Sequence, residues 1–164
     1  MFSSVIPLRR FSVISSRPFD DVVQSLEAAI GRTDSAKFGS ALRAASNTVE
    51  LSILVEATIG PSGLMEFCRF DQGEVLRKDA TQAHRRILRL IVGNPLIMKD
   101  LVTTVPDAAS YAPITILVDQ RDDGVHLSYD SMASLIAASK DQAALATARD
   151  LDDKVESLLS TAAI

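Results

Sequence analysis

The sequence predicts an α+β fold, with an antiparallel sheet of about five strands and helices mainly on one face. In residues 88–92, leucine or valine stands at every second position, the period of a half-buried strand. Apolar residues within 19–30 and 145–159 instead recur at spacings of three and four, as in amphipathic helices. The pair Asp123-Gly124 separates two short apolar runs, a pattern typical of a β-hairpin.

The composition of the 164-residue chain is that of one soluble domain, 47% hydrophobic and 23% charged. A net charge of −4 weighs against a nucleic-acid-binding protein, whose affinity comes from clustered Lys and Arg. No apolar run approaches the roughly 20 residues that span a bilayer. The only cysteine is Cys68, and the two histidines, His84 and His126, show no zinc-site spacing. We therefore expect no metal, organic cofactor, nucleic-acid partner or membrane span.

The N-terminal residues 1–17 allow two interpretations. Three arginines, many serines and no acidic residue before Asp20 are typical of a mitochondrial transit peptide. The alternative is a first strand over 8–15, with Phe11 and Val13 on one face. We favour the strand because a helix starts abruptly after it, and we accordingly expect a cytoplasmic protein. A transit peptide would instead direct the protein to the mitochondrion.

Three helices are predicted between the first strand and the second. The first ends at Gly31, and an added helical insert over about 33–59 supplies the other two. One insert helix begins after Asp34, and Asn47 with Glu50 forms a capping box that opens the next. The inward side chains are predicted to be Phe19, Val22, Val23, Leu26 and Ile30 in the first helix, Phe38, Ala41, Leu42 and Ala45 in the second, and Leu51, Leu54, Val55 and Thr58 in the third.

The remaining strands follow the insert. They are predicted over 64–70, 87–92, 114–119 and 125–129, with a loop of at most one helical turn over 74–83 and a short helix over 131–138. These elements complete a core over 8–138, and a C-terminal helix over about 142–161 finishes the single domain, 1–164. In that helix we predict that Leu145, Ala148, Leu151, Val155, Leu158 and Leu159 point inward, while Asp150, Asp152, Asp153 and Lys154 face water.

The triplet Gly93-Asn94-Pro95 marks a sharp turn from strand to helix. Gly93 tolerates unusual backbone angles, and the proline pushes Asn94 out of the helical region. Pro95 then suits the first position of a helix that runs to about Thr104. Asn94 is either a structural turn residue or a group that helps to place an anion on the exposed amides of the helix start.

Several motifs resemble the domain-of-unknown-function 302 family. They are LIVGNP at 90–95, YAPITILV at 111–118 and VHLSYD at 125–130. The segment GPSGLM at 60–65 is similar to the longer, fungal-type members. The resemblance covers most of 8–130 and is weakest over the helical insert.

The resemblance implies an α+β domain with an antiparallel sheet, helices against one face, and a homodimer. It implies no established reaction. Many members have Asp-His at the end of the second strand, where this chain has Asp71-Gln72. Any catalytic role of that family histidine is therefore in doubt here.

Strand alternation predicts which polar side chains share a face of the sheet. If the apolar positions face the helices, then Arg89, Thr115, Asp119, His126 and Ser128 lie together on the opposite face. A cation, an acid, an imidazole and two hydroxyls could form a binding cleft or an acid/base site. The alternative is a solvated sheet face or the polar part of a dimer interface, which antiparallel sheets commonly show.

Three hypotheses about function follow. The first is a homodimer that binds a small apolar or amphipathic molecule, with Arg89, Asn94, Thr115 and Ser128 as ligand-binding candidates. The second is a cofactor-independent isomerase or lyase that uses His126 with Asp119 or Asp71, since an imidazole titrates near neutrality. An Asp at such a strand end is more often a turn former. The third is a structural dimerisation module whose sheet face is an interface.

Overall fold

The computed structural model describes residues 3, 5–82 and 84–164 and shows an α+β fold built on one six-stranded sheet. Three residues of the candidate transit peptide, Met1, Phe2 and Ser4, lie outside the described residues. Ala83, at the end of the predicted 74–83 loop, also lies outside them.

The elements follow the predicted order closely. The strands are β1 (Arg10–Ser15), β2 (Gly31–Arg32), β3 (Met65–Asp71), β4 (Ile87–Gly93), β5 (Ile114–Arg121) and β6 (Gly124–Asp130). The helices are α1 (Phe19–Ala29), α2 (Ser35–Ala44), α3 (Thr48–Glu56), α4 (Gly73–Leu76), α5 (Pro95–Thr104), α6 (Met132–Leu135) and α7 (Gln142–Ala163). Short 3₁₀ helices occupy Ala80–Gln82, Pro106–Ser110 and Ala137–Ser139.

The sheet has the strand order β1-β6-β5-β4-β3-β2. Its pairs are antiparallel except for β2 with β3, which is parallel. The prediction of about five strands, all antiparallel, therefore missed β2. This strand is only two residues long, and it forms because the Gly31 N–H donates to the carbonyl of Leu64 as the chain leaves α1. Such a short pairing leaves no alternation pattern to detect.

The core lies between one face of the sheet and the helices α1, α5, α6 and α7. Strand residues at every second position are fully buried there, and so is the apolar stripe of α7. The core side chains of the three central strands are Leu90, Val92, Ile116, Val118, Leu127 and Tyr129. The predicted inward set of α7, from Leu145 to Leu159, is confirmed. Alternation thus identified the covered face of the sheet correctly.

Asp152 on α7 is a correction, because it is buried with 2% exposure instead of facing water. Its carboxylate accepts hydrogen bonds from the Tyr129 hydroxyl at 2.7 Å, from the Met132 N–H at 2.8 Å and from the Ser131 hydroxyl. Burial and the negative charge of Asp152 raise the pKa of Tyr129, so the hydroxyl stays protonated and donates. This group, the Asp152 network, joins the end of β6 and the start of α6 to α7.

The helical insert is less buried than the rest of the chain. Asn47 caps α3 as predicted, accepting from the Glu50 N–H, while the Glu50 carboxylate reaches back to the Ser46 N–H. Phe38 of α2 is buried and contacts Phe67 edge to face, with ring centroids 6.1 Å apart. Leu42 was predicted to point inward, yet it is 40% exposed. The reason is that α2 covers only the edge of the core.

Across the described ranges, no helix combines the length and the hydropathy that a bilayer crossing requires. The longest, α7, is 22 residues long and carries charged side chains on its outer face.

Candidate functional site

The face of the sheet opposite the core, called the open face here, holds the polar residues that alternation predicted. Cross-strand register arranges them in rows. The full rows are Ile14-His126-Asp119-Ile87 and Ser12-Ser128-Leu117-Arg89-Phe70, and the partial rows are Arg10-Asp130 and Thr115-Ile91-Cys68. The open face is therefore mixed, with large apolar side chains among charges and hydroxyls.

Two of the three predicted acid/base residues are direct neighbours. His126 and Asp119 are paired across β5 and β6. His126 is half-buried, and its Nε2 lies 2.7 Å from Asp123 Oδ1 in the hairpin turn. The hydrogen bond from His126 lowers the pKa of Asp123. Asp119 is 6% exposed, and its Oδ2 accepts from Arg121 Nε at 2.6 Å.

Asp71, the third predicted acid/base residue, lies apart from the other two. It pairs with Leu88, a residue that packs against the core, so it points to the opposite side of the sheet from His126. Its Oδ2 accepts from Arg77 at 2.6 Å, and its Oδ1 accepts from the Glu74 N–H. These hydrogen bonds, the one from Arg77 first, hold the pKa of Asp71 below its ordinary value. Asp71 has the geometry of a charged turn residue.

Three of the predicted ligand-binding residues do come together. Arg89, Thr115 and Ser128 line a shallow groove of about 240 Å³ on the open face, and Arg89 donates to the Thr115 hydroxyl at 3.3 Å. Gln72 also lines this groove, because β3 ends beside it. No pattern in the sequence indicated that Gln72 would lie beside these residues.

Asn94, the fourth predicted ligand-binding residue, lies on the other side of the sheet. Its Oδ1 accepts from the Leu96 N–H at 2.8 Å, which caps α5, and its Nδ2 donates to the Gly63 carbonyl at 2.9 Å. Both ends of the side-chain amide are therefore engaged within the protein. The predicted turn geometry is confirmed, with Pro95 in the first turn of α5.

An apolar cavity of about 170 Å³ adjoins this turn on the helix-covered side. Its walls come from α2, β3, the end of β4, α5, residues 112–114 and α7. The lining side chains include Leu42, Phe67, Ile97, Met98, Leu101, Ala112, Ile114 and Leu151, with Asn94 as the polar member. Here and below, "apolar cavity" means this space.

Of the residues that line the apolar cavity, only Asn94 was predicted to bind a ligand. A signal was present in α5, whose segment 96–102 has apolar side chains at five of seven positions. That is more than one helix face can bury against a sheet. The surplus, Ile97 and Met98, lies half-buried at the cavity.

No group of three or more His, Cys, Asp or Glu side chains within residues 5–82 and 84–164 is arranged to hold a metal ion. The lining of the apolar cavity offers no charged group to a cofactor.

Comparison with known proteins identifies the family. A family described as "Domain of unknown function DUF302" matches residues 44–162, which is more than half of the chain. The chain belongs to the DUF302 family. The matched region contains the Gly-Asn-Pro turn and the hairpin that carry the resemblance, and it extends through most of α7.

The fold is shared with a DUF302 protein of known structure. The crystal structure of an uncharacterized conserved DUF302 protein from Bacillus stearothermophilus has a TM-score of 0.65 with 14% sequence identity. The similarity covers 93% of this chain and 97% of that chain. At this identity the likeness concerns the fold alone. No curated protein matches the sequence.

Proposed function

We propose that this DUF302 protein binds a small apolar molecule, or the apolar end of an amphipathic one, in the apolar cavity. The observation that carries the proposal is the cavity itself, a concave space of about 170 Å³ lined almost entirely by hydrocarbon. Ligand sites are typically concave and apolar, with few polar groups. The groove on the open face has a larger volume, about 240 Å³, but its lining mixes charged and polar side chains with apolar ones.

The volume of the apolar cavity indicates the size of the ligand. Apolar cavities of about 150 Å³ stay free of water and bind benzene. A space of about 170 Å³ therefore suits one six-membered ring or a short branched chain. The exposed Leu42 lies at its edge, where a longer ligand could extend into solvent.

The hydrogen bonds around the cavity indicate the polarity of the ligand. Asn94 supplies the polar side chain of the lining, and both ends of its amide are already bonded to Leu96 and Gly63. A ligand hydroxyl placed deep in the cavity would lose its bonds to water without gaining others. The proposed ligand is therefore apolar where it is enclosed.

Toluene tests the proposal through thermal unfolding. At ten times its Kd, a ligand that binds only the folded state stabilises it by about 1.4 kcal/mol, which raises Tm by about 3–6 °C at this chain length. We expect this rise with toluene and a clearly smaller one with phenol at the same concentration, because the phenol hydroxyl has no partner inside. Differential scanning calorimetry measures both.

Two matched variants locate the binding. Ala112→Leu adds three carbon atoms to a cavity-lining side chain and should abolish the rise in Tm with toluene. Ala109→Leu makes the same change at an exposed position of the neighbouring 3₁₀ helix and should preserve it. Equal rises in the two variants, or no rise in the unmodified protein, would refute binding in the cavity.

Homodimerisation through the open face is the second part of the proposal. Phe70 and Ile14 are each 52% exposed on this face, so a contact that covers the face would bury apolar surface. Arg89 and Asp130 give the face both signs of charge. A two-fold symmetric contact requires such self-complementarity, so a second copy of the chain is the proposed partner.

Sedimentation velocity tests this contact. We expect a dimer at micromolar concentration and a monomer after Phe70→Glu, which places a charge in the proposed interface. Val49→Glu introduces the same charge at a 69% exposed position on α3, away from the open face, and should leave the dimer intact. A monomeric unmodified protein would exclude the dimer.

A further inference from the structure

A polar cleft of about 520 Å³ lies at the hairpin end of the sheet. It is lined by His84, Arg85, Asp119, Gln120, Arg121 and Asp122. It shares no lining residue with the apolar cavity, so an occupant of the cleft would be independent of the ligand proposed for that cavity.

Asp119 and Arg85 are incompletely bonded in this cleft. Asp119 is 6% exposed, and Arg121 satisfies its Oδ2. The other oxygen, Oδ1, lies 3.6 Å from Arg85 Nη2, beyond hydrogen-bond distance. Within the described part of the chain, Asp119 Oδ1 and Arg85 Nε are the two buried side-chain atoms that find no hydrogen-bond partner. Buried side-chain donors and acceptors without a hydrogen-bond partner are uncommon in folded proteins.

The charges of the cleft indicate what would satisfy both atoms. Two guanidinium groups, Arg85 and Arg121, surround the single buried carboxylate of Asp119. Arg121, which is 52% exposed, and Asp122 are both screened by water. The two unbonded buried atoms therefore decide the ligand: Arg85 Nε requires an acceptor, which a carboxylate provides in a charge-assisted bond, and Asp119 Oδ1 requires a hydrogen-bond donor.

We propose that the cleft binds a small carboxylate that carries a hydrogen-bond donor on the adjacent carbon, the pattern shared by α-hydroxy acids and α-amino acids. The carboxylate accepts from the guanidinium of Arg85, and the hydroxyl or ammonium group donates to Asp119 Oδ1. A modest movement of the Arg85 side chain, which is 34% exposed, admits the ligand between the two groups.

Four probes in an NMR titration at constant ionic strength test this assignment. Glycolate and glycine carry both groups, acetate lacks the donor, and ethanolamine lacks the carboxylate. We expect saturable chemical-shift changes of the Gln120 and Arg121 backbone amides with glycolate, glycine or both. The relative affinities of these two probes distinguish an α-hydroxy acid from an α-amino acid as the ligand. Acetate and ethanolamine should each bind at least about tenfold more weakly. Acetate cannot donate a hydrogen bond to Asp119, and ethanolamine cannot accept the charge-assisted hydrogen bond from Arg85.

Two variants complete the test. Arg85→Met should lower the affinity for the tighter-binding of glycolate and glycine by about tenfold or more. Arg43→Met, the same change on the exposed surface of α2, should leave that affinity unchanged. If neither glycolate nor glycine gives saturable shifts, then Arg85 and Asp119 bond to each other without a ligand, and the proposal is overturned. Equal binding of acetate, or of ethanolamine, would overturn the ligand class. The titration of the unmodified protein decides these points even if a variant misfolds.

Discussion

Asp152→Ala is expected to lower the free energy of unfolding by about 3–5 kcal/mol. The substitution leaves the Tyr129 and Ser131 hydroxyls and the Met132 N–H without their shared acceptor in a buried site. Each buried donor left unbonded costs about 1–3 kcal/mol, and partial re-pairing between Met132 N–H and the Tyr129 hydroxyl recovers some of this. Urea unfolding followed by circular dichroism measures the loss.

Asp153→Ala is the matched control for this effect. Asp153 is the next residue on α7 and is exposed, so its removal should change stability by no more than about 0.5 kcal/mol. A loss for Asp152→Ala that is equally small would show that the Asp152 network does not anchor α7 to the sheet.

Gly31→Ala is expected to cost about 3 kcal/mol or more, at the upper end of overpacking substitutions. A Cβ at residue 31 would lie 1.9 Å from the Thr58 carbonyl oxygen and 2.6 Å from the Gly60 nitrogen. Both contacts are with backbone, so no flexible side chain can move aside. The Gly31 and Gly60 N–H groups both donate to the Leu64 carbonyl, which joins the ends of α1 and the insert to the start of β3. The clash would break these hydrogen bonds.

Gly39→Ala is the same substitution with the opposite expected sign. Gly39 lies inside α2, and the nearest neighbour of its Cβ would be the flexible end of Arg43 at 3.6 Å. Alanine favours a helix interior over glycine by up to about 1 kcal/mol, so stability should rise. If Gly31→Ala proved as harmless as Gly39→Ala in thermal unfolding, the close backbone crossing at β2 would be refuted.

The predictions that succeeded rest on periodicity and on turn chemistry. Alternation along β4, β5 and β6 correctly predicted that His126 shares a face with Asp119, and Arg89 with Thr115. The pre-proline turn at Asn94 followed from local backbone restrictions alone. Such rules act within a few residues, so one sequence suffices to apply them.

The predictions that failed depend on contacts distant in sequence. Asp71 could not be assigned to a face, because β3 has an irregularity between Glu66 and Cys68 that shifts its register against β4. The apolar cavity joins α2, α5 and α7, and no local pattern tells how closely three helices approach.

Asp152 is a different kind of failure, because its position could have been predicted. It follows Ala148 by four residues and precedes Val155 by three, which places it within the apolar stripe of α7. The charge of the side chain outweighed its position in our prediction. A charged residue at an inward helical position is better interpreted as a buried group with partners elsewhere in the fold.

Intermolecular nuclear Overhauser effects between toluene and the protein test the central claim most directly. We predict contacts from the toluene protons to the methyl groups of Ile97, Met98 and Leu101, which line the apolar cavity. Contacts to Ile91 and Leu117 on the open face instead, or no contacts at a saturating toluene concentration, would contradict the proposed site.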